Sequence, residues 1–136
     1  MIQRIQSLWL LLAATCAFLT FRVSFFYGLK TGSAANEALN ATSDMLLIIT
    51  AAITGLGAFI AIFLYKDRKV QLRLTVAVLI ISILNIVLYF VHIKQYADGK
   101  FSLTSVVSFV IPVFLLLAVR GIWKDQKLIK SLDRLR

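Results

Sequence analysis

The chain has 136 residues, of which 60% are hydrophobic and 15% charged, with a mean hydropathy of +0.90. Soluble domains run near ~45–50% apolar and ~25% charged, and a core this small cannot hide so much apolar surface from water, so a soluble globular domain is excluded. A net charge of +9 would suggest nucleic acid in a soluble protein, but here the cations lie between and after the apolar runs, so the surface they meet is anionic lipid and no nucleic acid is expected.

The first apolar run, Ile5 to Phe21, continues past Arg22 through Val23 to Tyr27. A helix over 5–27 would reach ~34 Å, enough for the ~30 Å hydrocarbon layer. It would leave Arg22 near the far interface, snorkelling toward Asp44 or Asp98. Ser33-Ala34-Ala35 offers residues of the kind a signal peptidase accepts, yet lies well past the apolar core, so this helix is expected to be retained. Cys16, the only cysteine, reads as a small packing residue and excludes an intrachain disulfide or a multi-cysteine metal site. Asn40-Ala41-Thr42 matches the glycosylation acceptor pattern, but a capping turn of Asn40, Thr42, Ser43 and Asp44 before the next helix is the preferred reading.

The second helix is expected over 44–65, where Met45 to Tyr65 carries no formal charge. Its small residues form the pairs Ala51/Gly55 and Thr54/Ala58, which let a second helix approach closely, within the bundle or across a homodimer seam. The third is expected over 73–91, with Ser82 and Asn85 as polar exceptions. Asn85 would leave an amide in hydrocarbon unless partnered, so it should point into the bundle. The fourth, 103–120, contains Pro112, which removes one backbone donor, frees the carbonyl of Ser108 and predicts a bend. These runs are continuous, whereas a membrane barrel would alternate, so the spans are helical.

Residues 122–136 change pattern. Ile122, Leu128, Ile129, Leu132 and Leu135 fall along one helix side and Lys124, Lys127, Lys130 and Arg134 along much of the other, with Asp125 intruding on the apolar side. A basic amphipathic tail of this kind lies along the inner leaflet, with Trp123 at the headgroups, or docks on a cytosolic partner.

Charge distribution sets the orientation. Arg4, the link cations Lys66, Arg68, Lys69 and Arg73, and the closing Arg120, Lys124, Lys127, Lys130, Arg134 and Arg136 place eleven positive residues on one side, against Arg22, Lys30, Lys94 and Lys100 on the other. The positive-inside rule then puts both termini and the 66–73 link in the cytoplasm and loops 22–44 and 92–102 outside. An even number of spans agrees with that.

The chemical inventory is short. No Asp or Glu lies within the four expected spans, whereas proton and cation paths usually place ionisable groups at membrane depth. There is no phosphate-binding glycine loop and no His/Cys/Asp cluster at metal spacing, so no cofactor, metal or catalytic residue is assigned. His92 with Asp98 is the one acid/base pair worth naming, and it reads as an interfacial histidine beside a loop carboxylate.

The two ends carry a resemblance. Met1-Ile2-Gln3-Arg4-Ile5-Gln6-Ser7 running into Trp9-Leu10-Leu11-Leu12, and the closing Arg120-Gly121-Ile122-Trp123-Lys124-Asp125-Gln126-Lys127-Leu128-Ile129-Lys130-Ser131-Leu132-Asp133-Arg134-Leu135-Arg136, resemble an uncharacterised family of small four-span inner-membrane proteins from Bacteroidota. That family carries a domain-of-unknown-function label. An acid is more usual where this chain has Gln126. The resemblance implies a bacterial cytoplasmic membrane with both ends inward and assigns no activity.

The expectation is therefore an all-α integral membrane four-helix bundle with cytoplasmic termini, comprising a four-span domain over 1–121 and a basic tail over 122–136. Its role is expected to be that of a non-enzymatic accessory or scaffold subunit. Its helix faces would meet a partner membrane protein or a second copy, and its cations would meet lipid headgroups or a partner. Two rivals from other classes are a small transporter or channel, with Asn85, Ser82, Thr50 and Thr54 lining a polar path, and a lipid-acting enzyme using His92, Asp98 and Arg22 at the outer interface.

Overall fold

The computed structural model describes residues 2–136, with side chains from Ile5 onward, so the side chain of Arg4 lies outside the described residues. In chain order the elements are α1 (Ile2–Leu19), β1 (Ser24–Lys30), β2 (Asn36–Asn40), α2 (Met45–Phe63), α3 (Arg68–Ile93), β3 (Tyr96–Phe101) and α4 (Ser105–Arg134). The helices close into a ring: α1 packs on α2 and α4, and α3 packs on the same two neighbours. The short α2–α3 turn lies beside the C-terminal part of α4, and the three strands occupy the opposite end.

The helices turn many large apolar side chains outward while small and polar residues take up much of the interior. The inward stripe of α3 is Gln71, Thr75, Val78, Ser82, Asn85 and Tyr89, spaced alternately four and three residues apart, the period of left-handed helix packing. Outward on the same helix stand Ile80, Ile83, Leu84, Val87, Phe90 and Val91. On α2, Ala51, Thr54, Gly55 and Ala58 are buried, while Ile53, Leu56, Phe59, Ile60 and Phe63 are exposed. Leaving such side chains in water forgoes roughly 1.5–3 kcal/mol each, a cost that hydrocarbon surroundings remove. Met45–Phe63, Arg68–Ile93 and Ser105–Arg134 are long and apolar enough to cross a membrane, while the apolar stretch Ile5–Leu19 is shorter. The chain is thus a mostly helical membrane protein.

The interior is thin because its residues are small. Ala13, Ala14, Ala17, Ala58, Ala61 and Ala118 pack with Leu10, Val78, Ile111 and Leu115. Glycines bring the axes closer still. A Cβ on Gly57 would collide with the Val78 side chain of α3, one on Gly55 would press against the Phe18 ring of α1 at 3.1 Å, and one on Gly121 of α4 would meet Gln6 of α1 at 2.8 Å.

Three expectations require correction. First, α1 stops at Leu19 instead of reaching Tyr27, and Ser24–Lys30 is a strand. The apolar run is continuous in hydropathy, but Val23, Phe25, Phe26 and Tyr27 are β-branched or aromatic and favour a pleated surface. Thr20 also turns its hydroxyl back to the Ala17 carbonyl at 2.6 Å, so the helix end is satisfied there. Second, loops 22–44 and 92–102 contribute the strands of an antiparallel sheet of order β2-β1-β3, so the chain is not all-α. Third, residues 122–134 continue α4 without a break. The tail is no separate element, because Ile122 and Asp125 are buried against the bundle.

The sheet is pinned by its register. Gly28 pairs with Glu37 on one side and Gly99 on the other, and the Phe26 ring lies over both glycines, filling the space their side chains would need. A bulge between Ser24 and Phe26 accompanies burial of Phe25, which stacks on Tyr89 of α3 with centroids 4.3 Å apart. Phe25, Phe26, Leu39, Leu47 and Tyr89 form a second core that seats the sheet on the helices.

Candidate functional site

Buried polar groups within the bundle are spent on structure. Thr54 donates to the Thr50 carbonyl at 2.7 Å, Thr75 to that of Gln71 at 2.8 Å and Ser82 to that of Leu79 at 2.7 Å. Asn85 faces inward as expected, and its Oδ1 accepts from the Thr50 hydroxyl of α2 at 3.2 Å. Gln71 reaches from α3 to the Ala61 carbonyl of α2 at 2.9 Å. The residues Ala51, Thr54, Gly55, Ala58 and Asn85 are all buried, so they line helix–helix contacts, while Pro112 is half-buried on α4.

At the sheet end, Asp44 caps α2 by accepting from the Leu46 amide at 3.4 Å and also meets His92 Nε2 at 3.3 Å. An imidazole in the last turn of α3 and a carboxylate at the first of α2 each sit where the helix dipole favours their charge. His92 therefore pairs with Asp44 and not with Asp98. Arg22 is exposed, and the carboxylate of Asp44, one of its two expected partners, holds His92 instead. Asn40 ends β2, and Ser43 closes the turn, accepting from the Asn40 amide at 2.8 Å; of the four turn residues it is Asp44 whose side chain caps α2. Burial, with the Glu37 charge second, pushes the Tyr96 phenol up.

The opposite end is cationic. Gln6 of α1 donates to the buried carboxylate of Asp125 on α4 at 2.6 Å, tying the first and last helices together. Beyond it, residues 127–136 are exposed, including Leu128, Leu132 and Leu135. Lys66, Lys69, Arg73, Arg120, Lys124, Lys127, Lys130, Arg134 and Arg136 are exposed and Arg68 is half-buried. A cleft of about 840 Å³ opens here between turn residues 65–70 and Gln126, Ile129, Lys130 and Asp133 of α4. Sequence reasoning gave Lys66, Arg68, Lys69 and Lys130 as contact residues but missed that α4 is long enough to bring Lys130 opposite the other three. The same reasoning missed Gln6. Its only trace was an amide opening an otherwise apolar run.

Fold and surface together define a helical membrane protein with a sheet at one end and a cationic cleft at the other. The family model described as Domain of unknown function (DUF4293) matches residues 2–135, and the chain belongs to that family. No curated protein and no solved structure matches it.

Proposed function

We propose that the chain is a non-enzymatic accessory or scaffold subunit of a bacterial cytoplasmic membrane. In this reading it crosses the bilayer four times, with both termini and the α2–α3 turn in the cytoplasm. Its outward apolar faces meet lipid, a second copy or a partner membrane protein, and its cations meet anionic headgroups. The observation that carries the reading is the free end of α4. Leu128, Leu132 and Leu135 are exposed on a helix that also carries Lys124, Lys127, Lys130 and Arg134, and such an amphipathic helix buries its apolar side against another body. The commitment of buried hydroxyls to their own helices supports a structural interior over a polar path.

The test is purification of the full-length protein from its native membrane in mild detergent, with co-eluting proteins identified for the wild type and for L128Q/L132Q/L135Q. A defined partner that is retained by the wild type and lost in the variant is the expected result. A protein that stays monomeric and partnerless in both overturns the reading.

A further inference from the structure

We propose that the cleft between the α2–α3 turn and α4 is a specific binding site for the phosphate headgroup of an anionic phospholipid. Lys66, Arg68 and Lys69 come from one wall and Lys130 from the other, against Asp67 and Asp133. Among the described residues none of these four cations is in an ion pair. Four like charges drawn to one cleft repel each other, and the two carboxylates leave a surplus of two positive charges for an anion to offset.

Backbone polarity points the same way. The first intrahelical bond of α3 is from the Gln71 amide to the Asp67 carbonyl at 2.9 Å, and the Asp67 side chain makes no cap bond. The amides of Arg68, Lys69 and Val70 thus lie at the cleft without helical acceptors, with the positive end of the helix dipole behind them.

Position selects the lipid as the source of the phosphate. The cleft opens where the apolar band ends, beside exposed Phe63 and Tyr65 and with Ile129 in its wall, so acyl chains lie alongside while the headgroup enters. A volume of about 840 Å³ falls in the ~300–1,000 Å³ range of small-molecule sites. A singly charged phosphodiester also suits the small surplus of positive charge better than a polyphosphate.

This inference rests on the membrane reading above but not on the scaffold role, which a partner search tests separately. Full-length protein in neutral detergent is titrated with phosphatidylglycerol or phosphatidylcholine, and bound lipid is counted by native mass spectrometry. The wild type is expected to keep one phosphatidylglycerol per chain, saturably, with at least tenfold weaker retention of phosphatidylcholine. K66Q/K69Q/K130Q should weaken phosphatidylglycerol by about a hundredfold, each cation at an anionic surface being worth roughly fivefold. K66R/K69R/K130R should retain it. K30Q/K94Q/K100Q, which removes the same charge from the sheet end, should leave it unchanged. If the glutamine triple fails to fold by circular dichroism, K130Q alone decides, with about a fivefold loss expected. Equal losses at both ends, equal retention of the two lipids, or full displacement of phosphatidylglycerol by inorganic phosphate would each overturn the proposal.

Discussion

Gln6 and Asp125 stand 119 positions apart and meet at 2.6 Å in a buried contact. In the sequence, Asp125 looks like a flaw in an amphipathic tail. In the fold it faces inward because a donor waits on α1, and Gly121 lets that donor come close. Removing the donor alone strands a carboxylate, which costs more than removing both partners, since a buried acceptor without a hydrogen bond loses about 1–3 kcal/mol. Gln6→Leu should therefore destabilise the protein more than Gln6→Leu/Asp125→Leu, measured by thermal unfolding in a mild detergent. Additive losses would show that the contact carries no coupling energy. Asn85 is the gentler case. Its inward direction was legible because an amide in a hydrocarbon span needs a partner, and Thr50 was grouped with it only as a fellow member of a polar path, since nothing in a single chain's order says which of those groups bond to each other.

Elements differed in legibility for a physical reason. The runs that became α2 and the middle of α3 are uninterrupted and far longer than a strand, so length alone decides them. The stretch 23–27 is equally apolar but short and aromatic, and hydropathy fused it to α1. Only the period-two surface of a sheet, with Gly28 beside Gly99 under the Phe26 ring, explains why it is extended. The link cations were legible as a group, yet Arg68, Lys69 and Arg73 proved to belong to α3 itself. At the α2–α3 seam the missing side chain of Gly57 is what admits Val78. Gly57→Leu should force the two helices apart and cost about 1–3 kcal/mol or more through overpacking, whereas Leu56→Ala, on the exposed face, should change little. Comparing their melting temperatures and elution volumes checks this, and equal behaviour would contradict the packing described.

For the molecule as a whole, the fold sorts charge by end. The turn cations and those closing α4 gather at the cleft end, while Lys30 and Lys100 lie on the sheet. The proposed orientation makes a direct prediction. In a Cys16→Ala background, Ser33→Cys in the hairpin should react with a membrane-impermeant maleimide on intact cells, and Ser131→Cys should react only after permeabilisation. The reverse pattern would invert the topology, and labelling of both on intact cells would break the four-crossing reading.

Helix α4 spans 30 residues, about 45 Å, against ~28 Å for the 19 residues of α2. The surplus is not a loose appendage, because Ile122 and Asp125 clamp its base. It behaves as a stiff boom whose bearing is dictated by the barrel of helices beneath it. The direction in which the leucine-bearing tip projects is therefore set by the Gln6–Asp125 contact and the packing around Ile122, well below the tip's own residues.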